Sequence, residues 1–467
     1  MNYLKTLLIR SPAKNKPPLA AQTIHMGSLF FASCLSWLIS ASVCIASPTS
    51  PLTLAQAIDY ALANSPELNI MQSRIEQAQN QLGLAMANYY PQIKMGLSYQ
   101  HSNNPAEAFA MIIAQRRLDF AGTDFNHPGG VDNFRPQITA SYSLYRGGQD
   151  THQAQAAELG IEASELEKSA VRNRLVNHIT AAYYGYCAAV DAHTVSQRSV
   201  TAVQSELAQS ELRYQAGTVL KSDVLSLQVQ VAEAKDAQIQ AANAIEMANT
   251  LLKTLLGLAA DEPLALKETL AQILPKTPAK FSTLLSQALT QHPELQVAEK
   301  RVAITQQQLA AAKGAYLPRA DAYVSYGANS KDLDYSTDRD NVSVGVQVEV
   351  DVFNGFATQE KVSKAEHELN VAQEAARQQR LQIENALKSA QLKLQEALNR
   401  ADVASLSVQA AEEALRLVNE QRQAGVVTVT RYIEAEVARD KAHTRQISAR
   451  FDALRAEAEL KQALGGF

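Results

Sequence analysis

Residues 342–352 read VSVGVQVEVDV. Val342, Val344, Val346, Val348, Val350 and Val352 alternate with Ser343, Gly345, Gln347, Glu349 and Asp351. An extended chain therefore carries valine on one side and amides and carboxylates on the other. A strand of roughly ten residues with this alternation suits the wall of a transmembrane barrel, apolar toward lipid and polar toward a wet lumen. Taken alone, it also describes a half-buried strand of a soluble sheet. The rest of the chain has to decide between the two.

Three weaker alternations accompany it. Ile93, Met95, Leu97 and Tyr99 alternate with Lys94, Gly96 and Ser98. Ile138, Ala140, Tyr142 and Leu144 alternate with Gln137, Thr139, Ser141 and Ser143. Ala320, Ala322, Val324 and Tyr326 alternate with Asp321, Tyr323 and Ser325. The expected strands are about 92–100, 135–146, 319–327 and 341–353, in two pairs. They come in pairs because the chain is written twice. Ala61, Leu62, Pro66, Glu67 and Leu68 recur as Ala288, Leu289, Pro293, Glu294 and Leu295, at an offset of about 227 residues. Gly147 matches Gly355, and Gln215-Ala216-Gly217 matches Gln423-Ala424-Gly425, at an offset of about 208. A repeat this long is a duplicated domain rather than a solenoid unit. Each copy reads helix, strand, loop, strand, very long helix, turn, helix. The first spans 47–257, the second 281–467, and 258–280, with Pro263, Pro275 and Pro278, links them.

Four strands are too few to close a membrane barrel, whose smallest members have about eight, and open edges in lipid leave backbone groups unpaired. A barrel therefore requires several chains. The first copy has about 19 more residues between its strands than the second. This extra stretch, about 101–134, holds a polar Asn126-His127-Pro128-Gly129-Gly130 turn and an apolar run, Phe109–Ile113, of no evident role.

After each second strand a glycine is followed by helical pattern. From Gln149 to Ala216 is 68 residues, roughly 100 Å as one helix. In the second copy Val362, Leu369, Ala376, Ile383, Ala390, Ala397, Ala404, Ala411 and Val418 repeat every seven residues. That period gives a left-handed coiled-coil seam. Its alanines imply close helix approach, as in helices set side by side in a tube, although an antiparallel bundle with a filled core fits the pattern too. Gly217 and Gly425 mark helical-hairpin tips at about 213–225 and 421–434.

At the N-terminus Lys5, Arg10, Lys14 and Lys16 precede an apolar run from Gly27 to Ala46, with small residues at its end. Residues 1–46 read as a secretory signal; an uncleaved anchor is the alternative. A net charge of −4 argues against nucleic acid as a partner. The nine histidines form no HExxH or Cys/His cluster, and no phosphate-binding glycine loop is present, so neither a metal, a cofactor nor an enzyme activity is expected.

From about residue 52 onward the chain resembles the TolC-type outer-membrane factor family. The carrying motifs are the duplicated Ala-Leu…Pro-Glu-Leu openings, the Tyr145-Arg146-Gly147-Gly148 and Phe353-Asn354-Gly355 strand exits, and Arg213-Tyr214-Gln215-Ala216-Gly217-Thr218 followed by Ser222-Asp223-Val224-Leu225. The resemblance implies a mainly α-helical fold with a β-barrel part. A homotrimer would form a twelve-stranded barrel in the outer membrane, continued by a periplasmic coiled-coil tube. It implies a passive export channel that meets a periplasmic adaptor protein and an inner-membrane transporter at the hairpin tips. It also implies an entrance constriction there, for which Asp223, Arg431, Glu434 and Arg422 are the candidates. Asp223 holds the family's acidic place in the first tip, whereas Arg431 stands at the matching place in the second. Arg422 stands where relatives commonly have an aromatic. The alternative function is a periplasmic coiled-coil scaffold or adaptor that forms no channel.

Overall fold

A computed structural model of the chain describes residues 51–466, apart from 125, 268–273 and 335. The expected signal, 1–46, and the middle of the linker lie outside the described residues. Two helices open the described residues, α1 (Leu54–Asn64) and α2 (Pro66–Met86). Thr53 caps α1 through a capping box with Gln56, and Pro66 at the first turn of α2 forces the break between them. Then follow β1 (Gln92–Ser102), α3 (Pro105–Ala114), β2 (Val131–Arg146), α4 (Gln149–Gln215) and α5 (Lys221–Leu256). The second copy gives α6 (Phe281–Gln291), α7 (Pro293–Lys313), β3 (Arg319–Ala328), β4 (Asp340–Glu349), α8 (Ala357–Gln423) and α9 (Val429–Ala463).

The strands form one antiparallel sheet in the order β1-β2-β3-β4. The two hairpins therefore join each other side by side. Their bounds correct the sequence reading in three places. β2 begins at Val131, four residues before the expected start, because Val131 pairs with Ser102 at the end of a longer β1. β4 ends at Glu349, so Val350 and Val352 fall outside it. The reason is the partner: Glu349 pairs with Arg319, the first residue of β3, and Pro318 before it has no N–H to continue a ladder. Third, the apolar run in the first strand loop is a helix, α3. Asn104 caps it by accepting from the Ala106 and Glu107 amides, and Pro105 occupies its first turn.

The helices form a layer rather than a filled bundle. Nearest the strands the order is α2-α4-α7-α8; further out it is α5-α4-α9-α8. The sevenfold seam of α8 packs on α9: Ile383, Ala390 and Ala397 share a cluster with Ala453, Ala456 and Leu460, and Ala404 sits with Ala449. Small residues let these long helices approach closely over their whole length. Around the linker, Tyr183 is fully buried and its hydroxyl donates to the Lys267 carbonyl at 2.5 Å, with the Leu52 carbonyl 3.2 Å away, holding α4 to the segment before α1.

Glycines fix three junctions. Gly147 adopts φ 63° where β2 turns into α4, and its backbone meets that of Gly314 at the end of α7, so a Cβ on either residue would strike the other's carbonyl. Gly257 (φ 76°) and Gly465 (φ 90°) end the two hairpin helices in the same way. A Cβ on Gly257 would lie 3.3 Å from the Asn64 carbonyl, and one on Gly465 2.5 Å from the His292 Cα. Each copy thus closes on the proline-marked break between its own first two helices.

Candidate functional site

The sheet is built as a wall with two unlike sides. Continuous antiparallel register places Met95 opposite Ile138, Ile138 opposite Tyr326, and Tyr326 opposite Val342. Ile93, Ala140, Val324 and Val344 form the next row. This side is apolar across all four strands and stays exposed among the described residues: Met95 is 81% exposed and Val344 73%. The other side carries Gln137 opposite Gly327, Thr139 opposite Ser325 and Ser325 opposite Ser343, with Arg319, Asp321 and Glu349 toward the helical end. Gly345 leaves room for the ring of Tyr323 across the ladder, which a Cβ there would approach to 2.6 Å. The bulge between Ser143 and Tyr145 bends β2 where it leaves the sheet. Of the six valines expected on the apolar side, Val342, Val344, Val346 and Val348 lie on it, whereas Val350 and Val352 continue beyond the strand, both exposed.

At the opposite end of the long helices, the two tips share one geometry. Gly217 and Gly425 both take φ 75°. The Thr218 amide donates to the Arg213 carbonyl and the Val426 amide to the Gln421 carbonyl, the six-to-one bond of a Schellman stop. The second tip packs into the first: Val429 joins Val203, Leu227 and Val231 in one cluster.

The four polar candidates have different settings. Arg431 and Glu434 are both exposed and pair with each other at 3.1 Å. Asp223 lies in the first turn of α5, half-buried on the other hairpin, and the carboxylate paired with Arg431 is that of Glu434. Arg422 is buried. Its Nη2 donates to the Glu206 carboxylate and, at 3.0 Å, to the Ser210 hydroxyl, both on α4, and its guanidinium lies 5.4 Å from the Tyr432 ring centre. It therefore ties the second hairpin to the first instead of standing free beside Arg431. Glu206 and Ser210 carry no local motif, so the sequence alone left them unmarked.

One turn beyond Tyr432, the carboxylate of Glu436 is buried against Arg439, which also holds Asp440 at 2.7 Å. Burial raises the Glu436 carboxyl above the ordinary glutamate range, with Arg439 opposing. Burial likewise raises the Tyr432 hydroxyl, helped by the charges of Glu436 and Glu206. These groups make a charged, largely desolvated strip between α4, α8 and α9 just inside the tips.

A two-sided membrane-type wall joined to coiled-coil hairpins defines the class of protein, and the comparisons agree. The model of the outer membrane efflux protein family matches residues 57–258 and 284–466, one segment per copy. The chain belongs to the outer membrane efflux protein family, and it is an outer-membrane protein. Among curated relatives, the pyoverdine export outer membrane protein OpmQ of Pseudomonas putida is 22% identical over 417 residues, covering 88% of this chain and 86% of that one. Protein CyaE of Bordetella pertussis is 26% identical over 328 residues, 68% of this chain, and the match spans 64% of its own length. Among solved structures, the outer membrane protein VceC of Vibrio cholerae superposes with a TM-score of 0.74 at 19% identity, covering 88% of this chain and 96% of that one. The MtrE outer membrane channel of Neisseria gonorrhoeae gives 0.72 at 20% identity, covering 88% and 89%. These likenesses place the fold with the outer-membrane channels named.

Proposed function

We propose that three copies of this chain close into a twelve-stranded barrel in the outer membrane, continued by a helical tube, and that substrates leave the cell through it without chemical change. The observation that carries this reading is the sheet. Its apolar side is bare, and its edge strands β1 and β4 have no further strand beside them among the described residues. Lipid satisfies the first condition, and only closure satisfies the second.

The duplication supports closure by copies of the same chain. Helix α4 packs against α2, α5, α7 and α9. Its counterpart α8 packs against α6, α7 and α9, while the places that α7 and α9 fill beside α4 stay open beside α8 among the described residues. Apolar side chains wait on both partners: Leu392, Val403, Leu406 and Leu417 are exposed on α8, and Val229, Ile239, Met247 and Leu251 on α5. A neighbouring chain's α2 and α5 complete the layer, and three such steps close a ring.

The hairpin tips then form the entrance, where an adaptor protein and an inner-membrane transporter dock and supply the energy. Three Arg431–Glu434 pairs would line it as a mixed-charge ring, since rings of charge set ion passage at a narrow pore. In planar bilayers we expect Arg431→Ala to shift selectivity toward cations and Glu434→Ala toward anions, each with altered single-channel conductance. Unchanged selectivity in both variants would remove these residues from the constriction. Failure of the wild-type protein to form any ion-conducting pore would remove the channel reading itself.

A further inference from the structure

The polar side of the sheet becomes covered at the end far from the long helices, while the apolar side stays exposed. In most of β3 and β4 the polar side is open. At the far end of β3, however, Ser325 is 6% exposed and Asn329 6%, while Tyr326, between them on the apolar side, is 46% exposed. On β2 the buried residues at this end are Val131 and Asn133. Both lie on the polar side, because the β1–β2 register runs without a shift from Ser102–Val131 to Gln92–Ser141.

Part of that cover is α3. Ala108 and Met111 pack on Val131, with Ile112 beside them. Gln115, one residue past the helix and fully buried, donates to the Asp132 carbonyl at 2.6 Å and to the Asn133 Oδ1 at 3.0 Å. Asn133 in turn donates to the Asn329 Oδ1 of β3 at 2.9 Å. Arg116, held at φ 54°, donates to the Asp340 carbonyl at the start of β4. The segment that leaves β1 therefore reaches β4 across the polar side. Its ten-residue helix is about 15 Å long, the width of about three strand spacings.

We infer that α3 is an inward-folded lid that sets the size limit of the outer mouth. The inference rests on the three-chain barrel proposed above. Twelve strands spaced about 4.8 Å and tilted about 40° enclose a barrel roughly 24 Å across, backbone to backbone. A helix is about 10 Å wide, so three of them on the inner wall fill most of that section and leave gaps that pass small solutes but not bulky ones. Ala106, Ala110 and Ile113 form an exposed stripe at helical spacing along α3, and this stripe meets the other two copies of α3 near the threefold axis. The second copy of the repeat has no such helix between its strands among the described residues.

The test uses full-length protein in the outer membrane. Gln347→Cys places a thiol on the polar side of β4, deeper than α3, with the parent chain measuring any background from Cys187. Whole cells are treated from outside with a bulky polyethylene-glycol maleimide or with a small charged thiosulfonate. The expected result is small-reagent labelling in both cases, with bulky-reagent labelling at least tenfold faster once residues 105–114 are deleted or Met111→Asp lifts the helix. Separately, a short bismaleimide should join Ile113→Cys chains into covalent dimers. Equal bulky-reagent rates with and without the helix, in variants still recovered as trimers, or no cross-linking at Ile113→Cys, would overturn the lid. No labelling by the small reagent, or a particle that is not a trimer, would instead overturn the barrel reading.

Discussion

Val344→Arg is expected to abolish recovery of the protein from the outer membrane, lowering it at least tenfold, while Ser343→Arg leaves it close to wild type. The two positions are neighbours in β4 and differ only in the side they face. Val344 stands in the bare apolar row with Ile93, Ala140 and Val324. An arginine near the middle of a lipid-facing barrel strand costs about 2–4 kcal/mol. Three chains multiply this to roughly 6–12 kcal/mol per trimer, comparable to the whole stability of many domains. Ser343 faces the polar side, where an arginine remains hydrated. Membrane fractionation and immunoblotting of the two variants read the difference. Similar losses in both would mean that the sheet is not a two-sided membrane wall.

The second large effect is expected at the other end of the molecule. Arg422→Ala leaves the Glu206 carboxylate buried without its partner, and breaking a buried pair on one side costs about 3–5 kcal/mol. The cost falls where α4 meets α8, so the two hairpins should loosen from each other. We expect a lower melting temperature in detergent and at least a twofold rise in single-channel conductance. Arg422→Lys should restore the tie only in part, because it keeps a charge beside Glu206 but loses the planar guanidinium that lies 5.4 Å from the Tyr432 ring centre. Removing both charges with Arg422→Ala and Glu206→Ala should be milder than Arg422→Ala alone, since no unpaired charge is left inside. If Arg422→Ala melts and conducts as wild type does, the pair is not a tie between the hairpins.

Much of the fold was legible because its determinants are periodic. Valine at every second position marks the apolar side of a strand, and an apolar residue at every seventh marks the packed side of a helix. The offsets between the copies then fix the order of elements twice over. The strand ends were less legible, because a strand ends where its partner ends. Val350 and Val352 keep the alternation of Val342–Val348, yet β3 has no residue to pair with them beyond Arg319. Helix α3 was visible only as an apolar run of no evident role, and its place was not legible, since only the register shows that Val131 and Asn133 lie on the polar side.

The entrance shows the same division. Gly217 and Gly425 announce the tips, because a left-handed helix stop favours glycine. The partners of Arg422 lie more than two hundred residues away on α4, and no local spacing points to Glu206 or Ser210. A buried ion pair between long helices is set by their register, which packing decides. The exposed Arg431–Glu434 pair, by contrast, sits at the i,i+3 spacing of one helix and can be read directly from the sequence.

The central claim is that the four-stranded sheet is one third of a closed barrel. Native mass spectrometry of the protein extracted from the outer membrane in mild detergent tests it most directly. Three chains per particle is the predicted result: the two open strand edges and the unfilled places beside α8 are satisfied together in a closed ring, which three such chains make with twelve strands. A particle containing a single chain, with its apolar sheet side exposed to detergent and its edges unpaired, would contradict it.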